Sequence, residues 1–207
     1  MKKLSIFGII SLVLFITIGL IVSFSSWNAD WMVNSFFSSF RTDCLTSLAQ
    51  WIDVLFDTKM MVLWSLILSA ILWIRRSRKD SLFFISVMAL NAALLFIIKI
   101  IVARPRPFNS LIFANDYAFP SGHTTSAVVF FSLLAYLLLK KKKSFFMKWL
   151  IIKLCAIMVF VIGLSRLYLN VHWFTDVLGG LFLGGAIVLL SLSLHKSSIS
   201  LLNKKNT

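Results

Sequence analysis

Long runs of apolar residues, separated by short polar and basic segments, organise this chain. A helix needs about 20 apolar residues to cross the hydrocarbon core of a bilayer. Six stretches meet or approach that length, at roughly 4–24, 58–74, 81–102, 124–139, 149–166 and 175–194. The shorter ones fit with tilt or local thinning of the bilayer. A further segment, WMVNSFFSSF (residues 31–40), is amphipathic and too short to cross, which predicts an interfacial helix with Trp and Phe at headgroup depth. No linker, low-complexity tract or internal repeat interrupts the pattern. The expectation is an all-α polytopic membrane protein, six transmembrane helices plus one short interfacial helix, forming a single domain over residues 1–207.

Composition agrees with the pattern. Of 207 residues, 59% are hydrophobic, against roughly 45–50% in soluble domains, and the mean hydropathy is +0.93. Lys and Arg total 21 against 7 acidic residues, all Asp, giving a net charge of +14. The basic residues fall in clusters between the apolar runs. That places them against anionic headgroups and topology rather than nucleic acid. The basic start MKK is followed by an apolar run longer than a signal-peptide core and lacking an A-x-A exit, so it reads as a retained span.

With the N-terminus inside, the inside segments hold Lys2, Lys3, Arg75, Arg76, Arg78, Lys79, Lys140 to Lys143, Lys148, Lys196, Lys204 and Lys205. The outside segments hold only Arg41, Lys59, Arg104, Arg106 and Arg166. The asymmetry predicts both termini in the cytoplasm. Cys44 and Cys155 form no CxxC or ligand spacing, and Cys155 reads as a buried thiol.

This topology returns two distant polar stretches to one face. ARPRPFNSLIFANDYAFPSGH joins the third and fourth spans outside, and SRLYLNVHWFTD (165–176) emerges on that side after one round trip. Lys99 ends its helix one turn before Pro105 and Pro107, which cannot continue it. Taken alone, Lys99 is equally a snorkelling side chain. Together with Arg104, Arg106 and Arg166 it makes a cluster of like charges suited to a phosphate. Ser121 and Gly122 open the fourth span, where free N–H groups attract an anion, although a plain N-cap explains PSG as well. His172 and Asp176, four apart, share a face, so the carboxylate can fix the imidazole tautomer and free its other nitrogen as nucleophile or base. An interfacial histidine beside a helix-start Asp is the simpler alternative. No HxxxH or Cys/His cluster is present, so no metal site is expected. His195 falls at the opposite face and reads as interfacial. Gly180-x-x-x-Gly184 reads as a close helix contact.

Lys99 to Arg106-Pro107 with six residues between, PSGH at 120–123, and SRLYLNVHWFTD at 165–176 stand in order. They resemble the signature K-x6-RP, PSGH, SR-x5-H-x3-D of the type 2 phosphatidic acid phosphatase superfamily, and six spans with both termini inside also resemble its membrane members. The resemblance implies that Lys99, Arg106 and Arg166 bind phosphate oxygens, helped by Ser121 and Gly122. It further implies that His172 attacks phosphorus, that Asp176 orients it, and that His123 protonates the leaving oxygen, with Ser165 supporting the pocket. Arg104 is extra to the pattern and its role is open.

Such a site transfers a phosphoryl group through a phosphohistidine, with two histidines flanking phosphorus and three cations on its equatorial oxygens. The implied activity is a metal-independent, cofactor-free lipid phosphatase of the cell membrane. It would act at the extracytoplasmic face on undecaprenyl diphosphate, phosphatidylglycerol phosphate or phosphatidate. The alternatives are a lipid-to-acceptor phosphotransferase and a headgroup-binding lipid transporter; the histidine pair exceeds what transport needs. Asp116 and Tyr117 are candidates for headgroup contact. Tail preference and oligomeric state are not written in any motif.

Overall fold

The computed structural model describes residues 2–24, 27–140 and 144–205, with side chains described as far as residue 197. The lysines at 141–143 lie outside the described residues, as do the side chains of Lys204 and Lys205. Eight helices follow in order: α1 (Lys2–Phe24), α2 (Asn28–Ser39), α3 (Asp43–Leu55), α4 (Thr58–Ile74), α5 (Arg78–Val102), α6 (Gly122–Leu139), α7 (Phe145–Tyr168) and α8 (Phe174–Lys205). No strand occurs among the described residues.

Each of the six apolar runs is a helix. Five of them, α1, α5, α6, α7 and α8, are long and apolar enough to cross a membrane alone. Helix α4, with 17 residues, qualifies only with α3, from which it is bent by 52°. The lipid-facing character is written on the surface: Ile6, Phe7, Ile10, Val13 and Leu14 of α1 stand exposed, a patch no water-facing helix would carry. This is a multi-pass membrane protein.

One segment departs from the sequence reading. Residues 43–55, read as part of an outside loop, form helix α3, so two short helices rather than one precede α4. Thr42 caps α3 by accepting from Leu45 N–H, and Asp57 caps α4 by accepting from Met60 N–H at 2.7 Å. These local caps, with Ala49 buried against Tyr168, Leu169 and Val171, outweigh the modest length of the helix.

Helix α8 is the hub. It packs against α1, where Ser5 and Ser193 share a hydrogen bond of 2.7 Å and Ser11 donates to the Phe182 carbonyl at 2.7 Å. Against α6 it packs through Gly180 and Gly184, the close contact the sequence predicts. A Cβ at Gly184 would lie 2.7 Å from Val128 Cβ and 3.0 Å from the Thr125 carbonyl oxygen. Gly184→Val is therefore expected to force α6 and α8 apart and lower stability by about 1–3 kcal/mol. A melt in detergent with an unchanged midpoint would refute that.

The ends of four helices meet at one end of the bundle: the C-termini of α5 and α7, and the N-termini of α6 and α8. Helix α5 stops at Ala103, which takes a left-handed conformation (φ 47°) just before Arg104-Pro105. Helix α7 stops before Asn170, also left-handed (φ 50°), a conformation Asn tolerates better than most residues. These two turns aim Arg104 to Arg106 and His172 at each other.

Candidate active site

A cavity of about 890 Å³ opens at this end. Its polar end is lined by Lys99, Arg106, Gly122, His123, Arg166 and His172, and its apolar part by Met61, Val62, Met88, Leu95 and Phe96 of α4 and α5. The structure thus brings together side chains from α5, the α5–α6 loop, α6, α7 and the α7–α8 loop. Asp176, Ser121 and Ser165 stand behind this lining, all buried. His195 lies at the far end of α8, stacked on Phe83 at 4.1 Å.

His172 is 3% exposed. Its Nδ1 faces Asp176 Oδ2 at 3.5 Å, longer than a formed hydrogen bond, and its Nε2 lies 3.3 Å from Arg106 NH1. Burial first, then the positive charges of Arg106, Lys99, His123 and Arg166, hold its imidazole well below the usual histidine range. Asp176 is fixed from two sides: Oδ2 accepts from Trp173 N–H at 2.8 Å, and Oδ1 from Arg104 NH1 at 2.5 Å.

The cations are held by carboxylates and carbonyls. Lys99 Nζ pairs with Asp116 Oδ2 at 2.9 Å and donates to the Tyr117 carbonyl. Arg106 donates to the Asp116 carbonyl at 2.8 Å and the Val171 carbonyl at 2.5 Å, and pairs with the Asp116 carboxylate. Partial burial pushes the Asp116 carboxyl up, but its hydrogen bond and charge attraction with Lys99, reinforced by Arg106, prevail and hold it at about 2. Arg166, 1% exposed, donates from Nε and NH2 to Ser165 Oγ at 3.1 and 3.0 Å and pairs through NH1 with Asp53. The same Asp53 oxygen lies 3.2 Å from His123 Nε2, at an angle that makes no hydrogen bond.

At the start of α6, the Ser121 hydroxyl is fully buried and turned into the helix, accepting from Thr124 N–H at 3.5 Å. The Ser121 amide donates to the Asp176 carbonyl at 3.0 Å, tying the second motif to the third. The N–H groups of Gly122 and His123 belong to the first turn, which has no intrahelical acceptors for them. A Cβ on Gly122 would meet nothing closer than Lys99 Cε at 3.9 Å, so the space before it is open rather than packed.

Asp53 on α3 and Asp30 on α2 were not foreseen as site residues. Both come from short helices whose contact with the motifs is tertiary, and no spacing in the sequence links them to residues 99–176. Asp116, foreseen as a headgroup contact, is exposed at the cavity and pairs with Lys99 and Arg106.

Fold and site together define a polytopic helical membrane protein whose bundle end carries a cavity where two histidines meet Lys99, Arg106 and Arg166. The chain belongs to the PAP2 superfamily, whose sequence pattern matches residues 80–200. Over 120 residues it is 30% identical to phosphatidylglycerophosphatase B of Bacillus subtilis, a match covering 57% of this chain and 59% of that protein. Over 148 residues it is 30% identical to undecaprenyl-diphosphatase of Sulfolobus acidocaldarius, covering 65% of this chain and 64% of that one. These matches thus span less than two thirds of either relative.

Among solved structures, the fold is similar to the crystal structure of a transmembrane PAP2-type phosphatidylglycerolphosphate phosphatase from Bacillus subtilis. The TM-score is 0.84 at 24% identity, over 92% of this chain and 96% of that one. It is also similar to LpxE of Aquifex aeolicus, with a TM-score of 0.66 at 22% identity over 82% and 98% of the two chains.

Proposed function

We propose that this protein is a lipid phosphatase built as one membrane domain, hydrolysing a lipid phosphate or diphosphate through a phosphohistidine. The observation that carries the reading is the convergence of Lys99, Arg106, His123, Arg166 and His172 on one cavity that also has an apolar wall, from Met61, Val62, Met88, Leu95 and Phe96. A phosphate and a lipid tail need those two surfaces side by side. The names of the two relatives support phosphatidylglycerol phosphate and undecaprenyl diphosphate as substrates, and phosphatidate shares their chemistry.

In this reading the phosphate sits before Gly122, its oxygens on Lys99, Arg106, Arg166 and the first N–H groups of α6, with Ser121 holding that helix start as its cap. His172 carries its proton on Nδ1 toward Asp176 and attacks phosphorus with Nε2. The P–O bond to the lipid breaks as His123 gives the leaving oxygen a proton. His123 then takes a proton from water, which attacks the phosphohistidine, and inorganic phosphate leaves. The cations stabilise charge on the equatorial oxygens, so the chemistry runs without a metal ion. The excess of Lys and Arg at the opposite ends of the helices supports a cytoplasmic N- and C-terminus and a site at the extracytoplasmic face.

Purified protein in detergent with EDTA is expected to release phosphate from at least one of phosphatidylglycerol phosphate, undecaprenyl diphosphate and phosphatidate. No release from any of them, or release only with an added divalent ion, would overturn the reading.

The nucleophile also sets a pH dependence. An imidazole held well below the ordinary value of 6.5 stays neutral through neutral pH. The loss of kcat/KM attributable to protonating His172 therefore lies below pH 6.5, and between about pH 7.5 and 6.5 the rate constant should change less than about twofold. An acid limb centred at or above the ordinary histidine value would contradict it.

A further inference from the structure

Arg104 is not among the residues lining the cavity, although it sits in the same basic stretch as Arg106. Its guanidinium is 8% exposed and makes contacts on both sides. NH1 donates to Asp176 Oδ1 at 2.5 Å and to Thr175 Oγ1 at 2.7 Å. NH2 donates to Asp30 Oδ2 at 2.7 Å. Asp30, 2% exposed on α2, closes the circle by accepting from Thr175 N–H at 2.8 Å and from its hydroxyl at 2.8 and 3.0 Å. The Trp173 ring covers the guanidinium at 5.7 Å, and the neighbouring Trp31 of α2 packs on Trp173 at 4.9 Å.

We propose that Arg104 is a positioning residue, clamped by Asp30 and holding the Asp176 carboxylate in the rotation that presents Oδ2 to His172. The inference rests on the phosphatase reading and assigns a role within that site. The two oxygens of Asp176 have separate tasks. Oδ1 belongs to Arg104, while Oδ2 belongs to Trp173 N–H and faces the imidazole. Turning the carboxylate about its bond would exchange them. Only a planar fork reaches Asp176 and Asp30 at once; a lysine ammonium keeps the charge and loses the bridge. Asp30 in turn anchors the fork, so α2, which lies outside the stretch matched by the family pattern, completes the orientation of the nucleophile.

The test compares Arg104→Lys, Arg104→Gln and Asp30→Asn with wild type, reading kcat, inhibition by inorganic phosphate, and the pH profile. In Arg104→Lys, kcat is expected to fall about 10²-fold, the size of an ångström-scale misplacement, while the phosphate inhibition constant stays within about twofold. The groups facing His172 are Asp176, Arg106, Lys99, His123 and Arg166. Removing the Arg104 charge leaves Asp176 uncompensated, so in Arg104→Gln the acid limb of kcat/KM moves to higher pH. In Arg104→Lys it stays in place. Asp30→Asn keeps size and the Thr175 acceptor, and carries the test if the Arg104 variants do not fold: kcat falls about tenfold with phosphate inhibition unchanged.

Wild-type kcat in Arg104→Lys or Asp30→Asn would overturn the inference. So would a parallel loss of kcat and phosphate affinity, which marks a collapsed pocket. Wild-type protein inactive on every lipid would overturn the phosphatase reading itself, whereas active wild type with equally active variants overturns this inference alone.

Discussion

Replacing His172 with alanine is expected to reduce phosphate release by about 10⁴-fold or more, the scale seen when a covalent nucleophile is removed from an otherwise intact site. The expectation follows from burial and placement. His172 is 3% exposed, and its ring lies between Asp176 and the cation cluster. No other imidazole among the described residues can take its place: His123 lines the same cavity but stands against Asp53, away from Asp176, and His195 is at the opposite end of α8. Lys99, Arg106 and Arg166 remain in the variant, so inorganic phosphate should still inhibit by occupying them. Initial rates in mixed micelles check this. Residual activity above about 1% of wild type would rule out His172 as the nucleophile.

Arg166→Ala is expected to lower kcat/KM by about 10³–10⁵-fold, the range for removing an arginine that neutralises a transferring phosphoryl group. Arg166 is 1% exposed, and two of its nitrogens are spent on Ser165 Oγ, which fixes the plane of the guanidinium. The third points to Asp53 at the cavity. A lysine cannot reproduce that arrangement, so Arg166→Lys should recover little of the loss. Asp53 is partly exposed, at 23%, and can turn to water when its partner goes, so the fold should survive. A variant with wild-type kcat/KM and a lowered melt would show that Arg166 serves only the packing of α7 against α3.

The spans were legible because a bilayer imposes a crude rule on sequence: apolar length, with basic residues at one end. The site was legible because its residues cluster in three short segments, and an even number of crossings returns them to one face. Gly180 and Gly184 were legible because only small residues permit the approach that α6 and α8 make, where a Cβ would lie 2.7 Å from Val128. What escaped depends on contacts between distant segments. Helix α3 carries no run long enough to register as a span, and its position is set by Tyr168 and Val171 on the far side of the sequence. Asp53 and Asp30 are therefore invisible as partners of Arg166 and Arg104 until the chain is folded. Ser121 illustrates the reverse case. Its sequence context fits a cap and an anion site equally, and its hydroxyl is turned inward as a cap.

The most direct test of the chemistry is to look for the intermediate. Wild-type protein is mixed with a lipid substrate carrying radiolabelled terminal phosphate, quenched in base within the first turnovers and digested. Acid-labile, base-stable label on the peptide containing His172, absent when His172 is replaced, is the expected result. Release of phosphate at normal rates by wild type with no label trapped on His172, or with label on another residue, would contradict a phosphohistidine at this site.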